Sequence, residues 1–302
     1  MRKNKSVKIV VSIIILCIIG ILVCLGIIFF HYSKNVNVSA SAIDETTEFA
    51  SNESVGNNED ITNQIEDNLL TENNITENEE QISNEEFIDK INNIYNGTEG
   101  KRVFLTFDDG PTTQVTPKIL DILDKYNIKA TFFVLGNRVK SNPEIVKREY
   151  DSGHYIANHS YSHKYKKIYK SEDNLLNEYN KTEEAIREAI GDQSYSSNLF
   201  RFPGGSKGGP YEEIKSKARK KLNENGIAYL DWSALTYDAD GADSKKEILN
   251  NLKETMKGWD NVVVLMHDSP DKQITYQTLE DVIKYLQEEG YKFENIYDLM
   301  EE

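Results

Sequence analysis

Residues 103–135 read VFLTFDDGPTTQVTPKILDILDKYNIKATFFVL, and this stretch decides the fold class. Val103 to Phe107 is a short apolar run bounded by turn residues, the pattern of a buried strand. Thr116-Pro117 reads as an N-cap followed by proline at the first helical position, opening a helix through Tyr126. Ala130 to Leu135 is a second apolar strand. Strand, turn, helix and strand in this order make a parallel unit, and the alternation continues. Helices are expected over 143–152, 172–190, 211–225, 245–257 and 275–289, and strands over 155–157, 199–202, 227–232 and 262–266. The fold class is therefore α/β, most simply an incomplete or distorted (β/α) barrel.

Outward from this core the composition changes. Residues 9–30 are almost all Ile, Leu, Val, Phe and Cys, long enough to span the ~30 Å hydrocarbon layer as a helix. Arg2, Lys3, Lys5 and Lys8 precede the run and only Lys34 closely follows it, so residues 1–8 are expected in the cytoplasm and the bulk of the chain outside the cell membrane. The rival reading is a cleaved signal peptide and a secreted product, but its apolar region would be only ~7–15 residues long. Both cysteines, Cys17 and Cys24, fall inside this run, so the exterior part holds no disulfide.

Residues 31–96 read as an extracellular linker. From Ile43 to Asn96 there are fifteen acidic residues and one lysine, Lys90, with few aromatics; such a segment cannot bury enough apolar surface to order itself. A short helix from about Asn84 to Tyr95 is expected to lead into the domain, which is placed at 97–302. The domain holds 35 acidic and 29 basic residues, so most of the formal net charge of -15 belongs to the linker. No basic stripe points to nucleic acid.

The residues with chemical capacity gather at the ends of the expected strands: Asp108, Asp109, His159, His163, Arg201, Asp238 and His267. Parallel α/β folds collect their chemistry there. Each has an ordinary reading when taken alone. Asp-Asp-Gly-Pro is good turn sequence. Adjacent carboxylates on an extended chain point apart, so Asp108 and Asp109 can serve one site only if the strand end bends. His159 and His163 are spaced to aim two imidazoles at one ion from a helical turn or a tight loop. His267 ends an apolar strand, and with an unperturbed pKa of ~6.5 it suits proton donation near neutrality. His154, in a Gly-His turn, is taken as structural.

Together, TFDDGP (106–111), HSYSH (159–163), RFPGG (201–205), the Trp232-to-Asp238 segment and Leu265-Met266-His267 resemble the polysaccharide deacetylase family, that is, the NodB homology domain or carbohydrate esterase family four. The resemblance runs from about Lys101 to Tyr291. It implies a distorted (β/α) barrel and a divalent ion, most simply Zn2+ with Co2+ as an alternative, held by Asp109, His159 and His163. It further implies Asp108 as catalytic base oriented by Arg201, and His267 as catalytic acid oriented by Asp238. Gly204, Leu265 and Trp232 would contact substrate, Gly204 through its N–H and Leu265 at the acetyl methyl. Gly204 and Ala239 depart from the family pattern, which often has aromatics at these positions. The implied function is metal-dependent removal of N-acetyl groups from a polysaccharide, peptidoglycan N-acetylglucosamine above all. The alternatives are another glycan (exopolysaccharide, chitooligosaccharide or muramic acid residues) or an inactive wall-binding module.

Overall fold

A computed structural model describes residues 82–96 and 100–301. The expected cytoplasmic tail, the membrane span over 9–30 and most of the linker lie outside the described residues. Among the described residues no helix is long and apolar enough to cross a membrane.

The centre of the sheet is β1 (Arg102–Asp108), buried along its whole length. Its neighbours are β7 (Asn261–His267) on one side, with β2 (Thr131–Val134) and β8 (Lys292–Glu294) completing its pairing. β2 meets β1 at Thr106–Asp108 and β8 meets it at Arg102–Phe104. Beyond β2 come β3 (Tyr155–Asn158), β4 (Leu199–Phe200) and β5 (Ala228–Tyr229), and beyond β7 comes β6 (Ala234–Leu235). Every pairing is parallel. No ladder joins β5 to β6 among the described residues, so the barrel is a curled half-barrel with an open seam. β6 and β8 are too short to stand out from the sequence by periodicity.

The two faces of β1 separate by the two-residue period of a strand. Val103, Leu105 and Phe107 face a layer built from α2 (Thr116–Tyr126), α4 (Pro143–Asp151), α6 (Glu172–Ile190), α8 (Lys245–Thr255) and α9 (Gln273–Glu288). Phe104 belongs instead to a cluster with Phe133, Ala157 and Val263, capped by Phe87, Ile91 and Ile94 and by Ile296 and Leu299. Those caps come from α1 (Asn84–Asn93) with the residue that follows it, and from α10 (Ile296–Glu301). Thr106 and Asp108 continue the Phe104 face toward the C-terminal strand ends. The concave side is thus apolar and closed at one end, polar at the other. Between α2 and α4 lies α3 (Gly136–Ser141), and α5 (Tyr165–Ile168) and α7 (Glu212–Glu224) complete the set, α5 to α7 packing around Phe200 and Phe202.

Two expectations need correction. The folded unit does not begin at 97: Ser83 caps α1, its Oγ accepting from Glu86 N at 3.2 Å, and α1 packs into the core through Phe87 and Ile91. The end of the expected linker is therefore part of the domain. Thr116 is not an N-cap: it is the first residue of α2, and its hydroxyl donates to Asp268 Oδ2 at 2.5 Å and accepts from Thr112 N at 2.8 Å.

Candidate active site

β1 ends at Asp108, and the next residue takes a left-handed backbone, φ 78° at Asp109. That bend turns two neighbouring carboxylates to one site. Asp108 Oδ2 lies 3.7 Å and Asp109 Oδ1 3.8 Å from the Nε2 of His159. The His163 Nε2 lies 3.4 Å from the same Asp109 oxygen. The two histidines sit on a tight loop after β3. Ser160 and His163 have φ of 76° and 53°, Ser160 N donates to Asn158 Oδ1 at 3.0 Å, and His163 N donates to Ser160 Oγ at 3.2 Å.

His159 Nδ1 is 2.8 Å from the carbonyl oxygen of Arg201. A carbonyl only accepts, so Nδ1 carries the proton and Nε2 presents its lone pair. Burial outweighs the opposing Asp109 charge and lowers the His159 pKa to about 3, so the ring is neutral near pH 7. The ligand atoms of Asp109, His159 and His163 all lie within 4.8 Å of one another. Asp109 Oδ1 is buried without a hydrogen-bond partner, a costly arrangement that a cation relieves. This donor set of two imidazoles and one carboxylate fits a divalent metal ion.

Arg201 is fully buried, and each guanidinium nitrogen is used. Nη1 donates to Asp108 Oδ1 at 2.8 Å and to Thr106 Oγ1 at 2.7 Å, Nε to Leu230 O at 3.0 Å, and Nη2 to Asp231 O at 3.1 Å. Burial raises the Asp108 pKa above the ordinary carboxylate value, although Arg201 and His267 pull it down. A carboxylate raised in this way remains ionisable while gaining basicity.

The β1–β7 ladder sets Asp108 directly beside His267. His267 Nδ1 is 2.9 Å from Asp238 Oδ1, and the other Asp238 oxygen accepts from His267 N and Thr275 Oγ1, each at 2.7 Å. Burial works to lower the His267 pKa, but the bond to Asp238 and the charges of Asp238, Asp108 and Asp109 overcome it and raise it to about 9. Burial opposes ionisation of Asp238 too, yet its bonds to His267 and Thr275 bring its pKa below the usual value. The pair is an imidazolium held by a carboxylate.

The loop after β4 is fastened from beneath. Tyr169 Oη donates to Pro203 O at 2.6 Å, Lys215 Nζ to Gly204 O at 3.2 Å, and Ser206 N to Asp231 Oδ1 at 2.9 Å. Gly204 has φ 74° and its N–H makes no hydrogen bond among the described residues. Trp232 is half-buried, its ring 3.4 Å from the point a Cβ on Gly205 would occupy. Leu265 is buried in β7, two residues before His267.

Sequence reasoning left out three contributors. Thr275 braces Asp238, and Arg138 donates to the Asp109 carbonyl from α3. Tyr165, two residues past His163, stands with its ring 5.6 Å from the His163 ring, edge to face. Only the position of Tyr165 beside HSYSH gave a signal in the sequence.

A family model described as Polysaccharide deacetylase matches residues 95–230. The chain is 34% identical over 209 residues to a peptidoglycan-N-acetylglucosamine deacetylase of Bacillus cereus, covering 68% of this chain and 72% of the relative. It is 31% identical over 224 residues to the peptidoglycan-N-acetylmuramic acid deacetylase PdaA of Bacillus subtilis, covering 70% and 77%. Among solved structures it is similar to a Streptococcus mutans CE4 esterase, with a TM-score of 0.62 and 32% identity over 68% of this chain and 89% of that one.

Proposed function

Because the chain belongs to the polysaccharide deacetylase family, we propose that it hydrolyses N-acetyl groups of a cell-wall polysaccharide, peptidoglycan N-acetylglucosamine in the first place, releasing acetate. The observation that carries this reading is the convergence of Asp109, His159 and His163 on one point, with Asp108 and His267 facing it on adjacent strands.

Asp109, His159 and His163 would hold the ion, which we take to be Zn2+. When bound, it supplies a Lewis acid that polarises a carbonyl and acidifies water. Asp108, kept in place by Arg201, takes the proton of the attacking water. The water oxygen bonds to the acetyl carbon, and the free Gly204 N–H donates to the oxygen on which charge develops. His267, held as an imidazolium by Asp238, gives its proton to the sugar nitrogen as the C–N bond breaks. Acetate and a free amine result. Leu265 lies where an apolar wall for the acetyl methyl is needed, and Trp232 borders the Gly204-Gly205 loop.

A membrane-anchored position, with the catalytic domain outside and a span over 9–30, fits a substrate of this kind and is supported by the composition of that segment. The muramic acid residue is the second reading, because a relative of similar identity carries that name.

The test is acetate release from purified peptidoglycan by the protein with Zn2+, after chelation, and with Asp109→Ala. Release that requires both the ion and Asp109 supports the proposal. Metal binding without release from any peptidoglycan would move the activity to another acetylated glycan, and loss of both would leave a wall-binding module.

A further inference from the structure

Tyr165 opens α5 and is 39% exposed, one of few large aromatics on the surface among the described residues. Trp259 precedes β7, at the opposite ends of the strands from the metal ligands, and Tyr237 precedes Asp238. Tyr165 alone among these packs against a metal-ligand ring, that of His163.

Two further rings brace it. Tyr169 meets it at 5.8 Å and Tyr211 at 6.4 Å between centroids, both edge to face. Tyr169 is itself buried, stacked on Tyr211 at 5.1 Å and bonded to Pro203 O. An aromatic braced in this way loses little conformational freedom when a ligand covers it. Its hydroxyl has no hydrogen-bond partner among the described residues and lies 2.7 Å from the point where a Cβ on Gly204 would stand. Gly204 offers no side chain, and the space a side chain would take is filled by the ring of Tyr165, the first residue of α5. The Tyr165 ring thus stands next to the loop that carries the Gly204 N–H.

We propose that Tyr165 is a substrate-contacting specificity residue: its ring is the aromatic wall on which the pyranose bearing the acetamide stacks, between His163 and the Gly204 loop. This rests on the deacetylase reading and names the surface that positions its substrate. A pyranose presents a face of C–H groups, which the negative face of an aromatic ring accepts, and such rings orient ligands in pockets that a few polar groups then make specific. The ring, rather than the hydroxyl, does the positioning.

The experiment compares the full-length protein with Tyr165→Ala, Tyr165→Phe and Tyr165→Trp, using oligomers of N-acetylglucosamine and measuring kcat and KM by acetate release. Zinc content is measured for every variant, and oligomer binding is measured by calorimetry in an Asp108→Asn background. Tyr165→Ala is expected to raise KM and the dissociation constant about tenfold, with kcat within about threefold and zinc retained. Tyr165→Phe and Tyr165→Trp should stay within about threefold of the wild type. An unchanged KM and dissociation constant in Tyr165→Ala overturns the inference. So does a loss confined to kcat, a loss of zinc, or equal damage in Tyr165→Phe. A wild-type protein that releases no acetate from any oligomer or wall glycan overturns the deacetylase reading itself, an outcome distinct from an active wild type with an indifferent Tyr165.

Discussion

Arg201 is joined to His159 through its main chain and to Asp108 through its side chain: its carbonyl oxygen lies 2.8 Å from His159 Nδ1, and its Nη1 lies 2.8 Å from Asp108 Oδ1. One residue just past β4 therefore fixes the tautomer of His159, a candidate metal ligand, and the position of Asp108, the proposed base. The two duties are separable, because substitution removes only the second.

Arg201→Lys is expected to lower kcat at least ~10-fold while the metal ion stays bound. Lysine supplies a point charge with three donors in place of a planar fork, and the carbonyls of Leu230 and Asp231 lose their partners. Each buried acceptor left unpaired costs ~1–3 kcal/mol, so the variant also melts earlier. Metal content and acetate release on the same sample check this; wild-type turnover in Arg201→Lys would contradict the role given to the guanidinium.

The rate should fall on the alkaline side. A general acid works only while protonated, and Asp238 and the nearby carboxylates, against the effect of burial, raise the His267 pKa to about 9. The alkaline limb of kcat/KM is accordingly expected near pH 9, and Asp238→Asn should move it down toward the ordinary histidine value of ~6.5. His267→Ala should cost roughly 10²–10⁴ in rate. A pH–rate profile of the two proteins reads the shift, and identical limbs would dismiss His267 as the acid.

Acid stability should depend on His154. This ring is buried, its Nδ1 accepts from Ala130 N at 3.1 Å, and burial lowers its pKa to about 4. Between pH ~6.5 and 4 the unfolded chain takes up a proton that the folded one refuses, so stability falls as pH falls through that window. The contribution is about 3 kcal/mol at ~1.4 kcal/mol per unit. In His154→Asn, whose amide oxygen stands in for Nδ1, the unfolding free energy from urea titrations should fall by about 3 kcal/mol less between pH 7 and 4 than in the wild type. Parallel slopes would show that the ring protonates without cost.

Truncation should be felt at α1. A fragment beginning at Lys101 loses Phe87, Ile91 and Ile94 from the cluster around Phe104. Burial of each such side chain contributes ~1.5–3 kcal/mol, an upper figure because unfolded chains already hide some surface. A fragment beginning at Glu79 should melt well above one beginning at Lys101, and equal melting temperatures would mean that α1 is dispensable.

The α/β alternation and the strand-end residues were legible because each rests on local pattern: an apolar run such as Val262–Met266, a Pro-opened helix, a His pair four apart. What escaped depends on contacts made far along the chain. β6 and β8 are two and three residues long and exist because β7 and β1 offer free edges. Thr116 looks like a cap until Asp268, 152 residues away, takes its hydroxyl. The short helix before 97 was legible, but the acidic composition around it concealed that Phe87, Ile91 and Ile94 are buried in a hydrophobic cluster of the domain. Tyr165 gave no periodic signal at all, since its ring partners are His163 in the loop before α5, Tyr169 just after α5 and Tyr211 just before α7.

The in-register ladder between β1 and β7 ties the spacing of Asp108 and His267 to the backbone of the sheet. Asp108 and His267 are partners in adjacent extended strands, so the interval between them is a property of sheet geometry, indifferent to the size of any nearby side chain. Gly204 and Ala239 lie in loops off that ladder. A change of side chain at either position leaves the spacing of the proposed base and acid to the sheet, so on the proposed reading the choice of glycan and the proton transfers are set by separate parts of the fold.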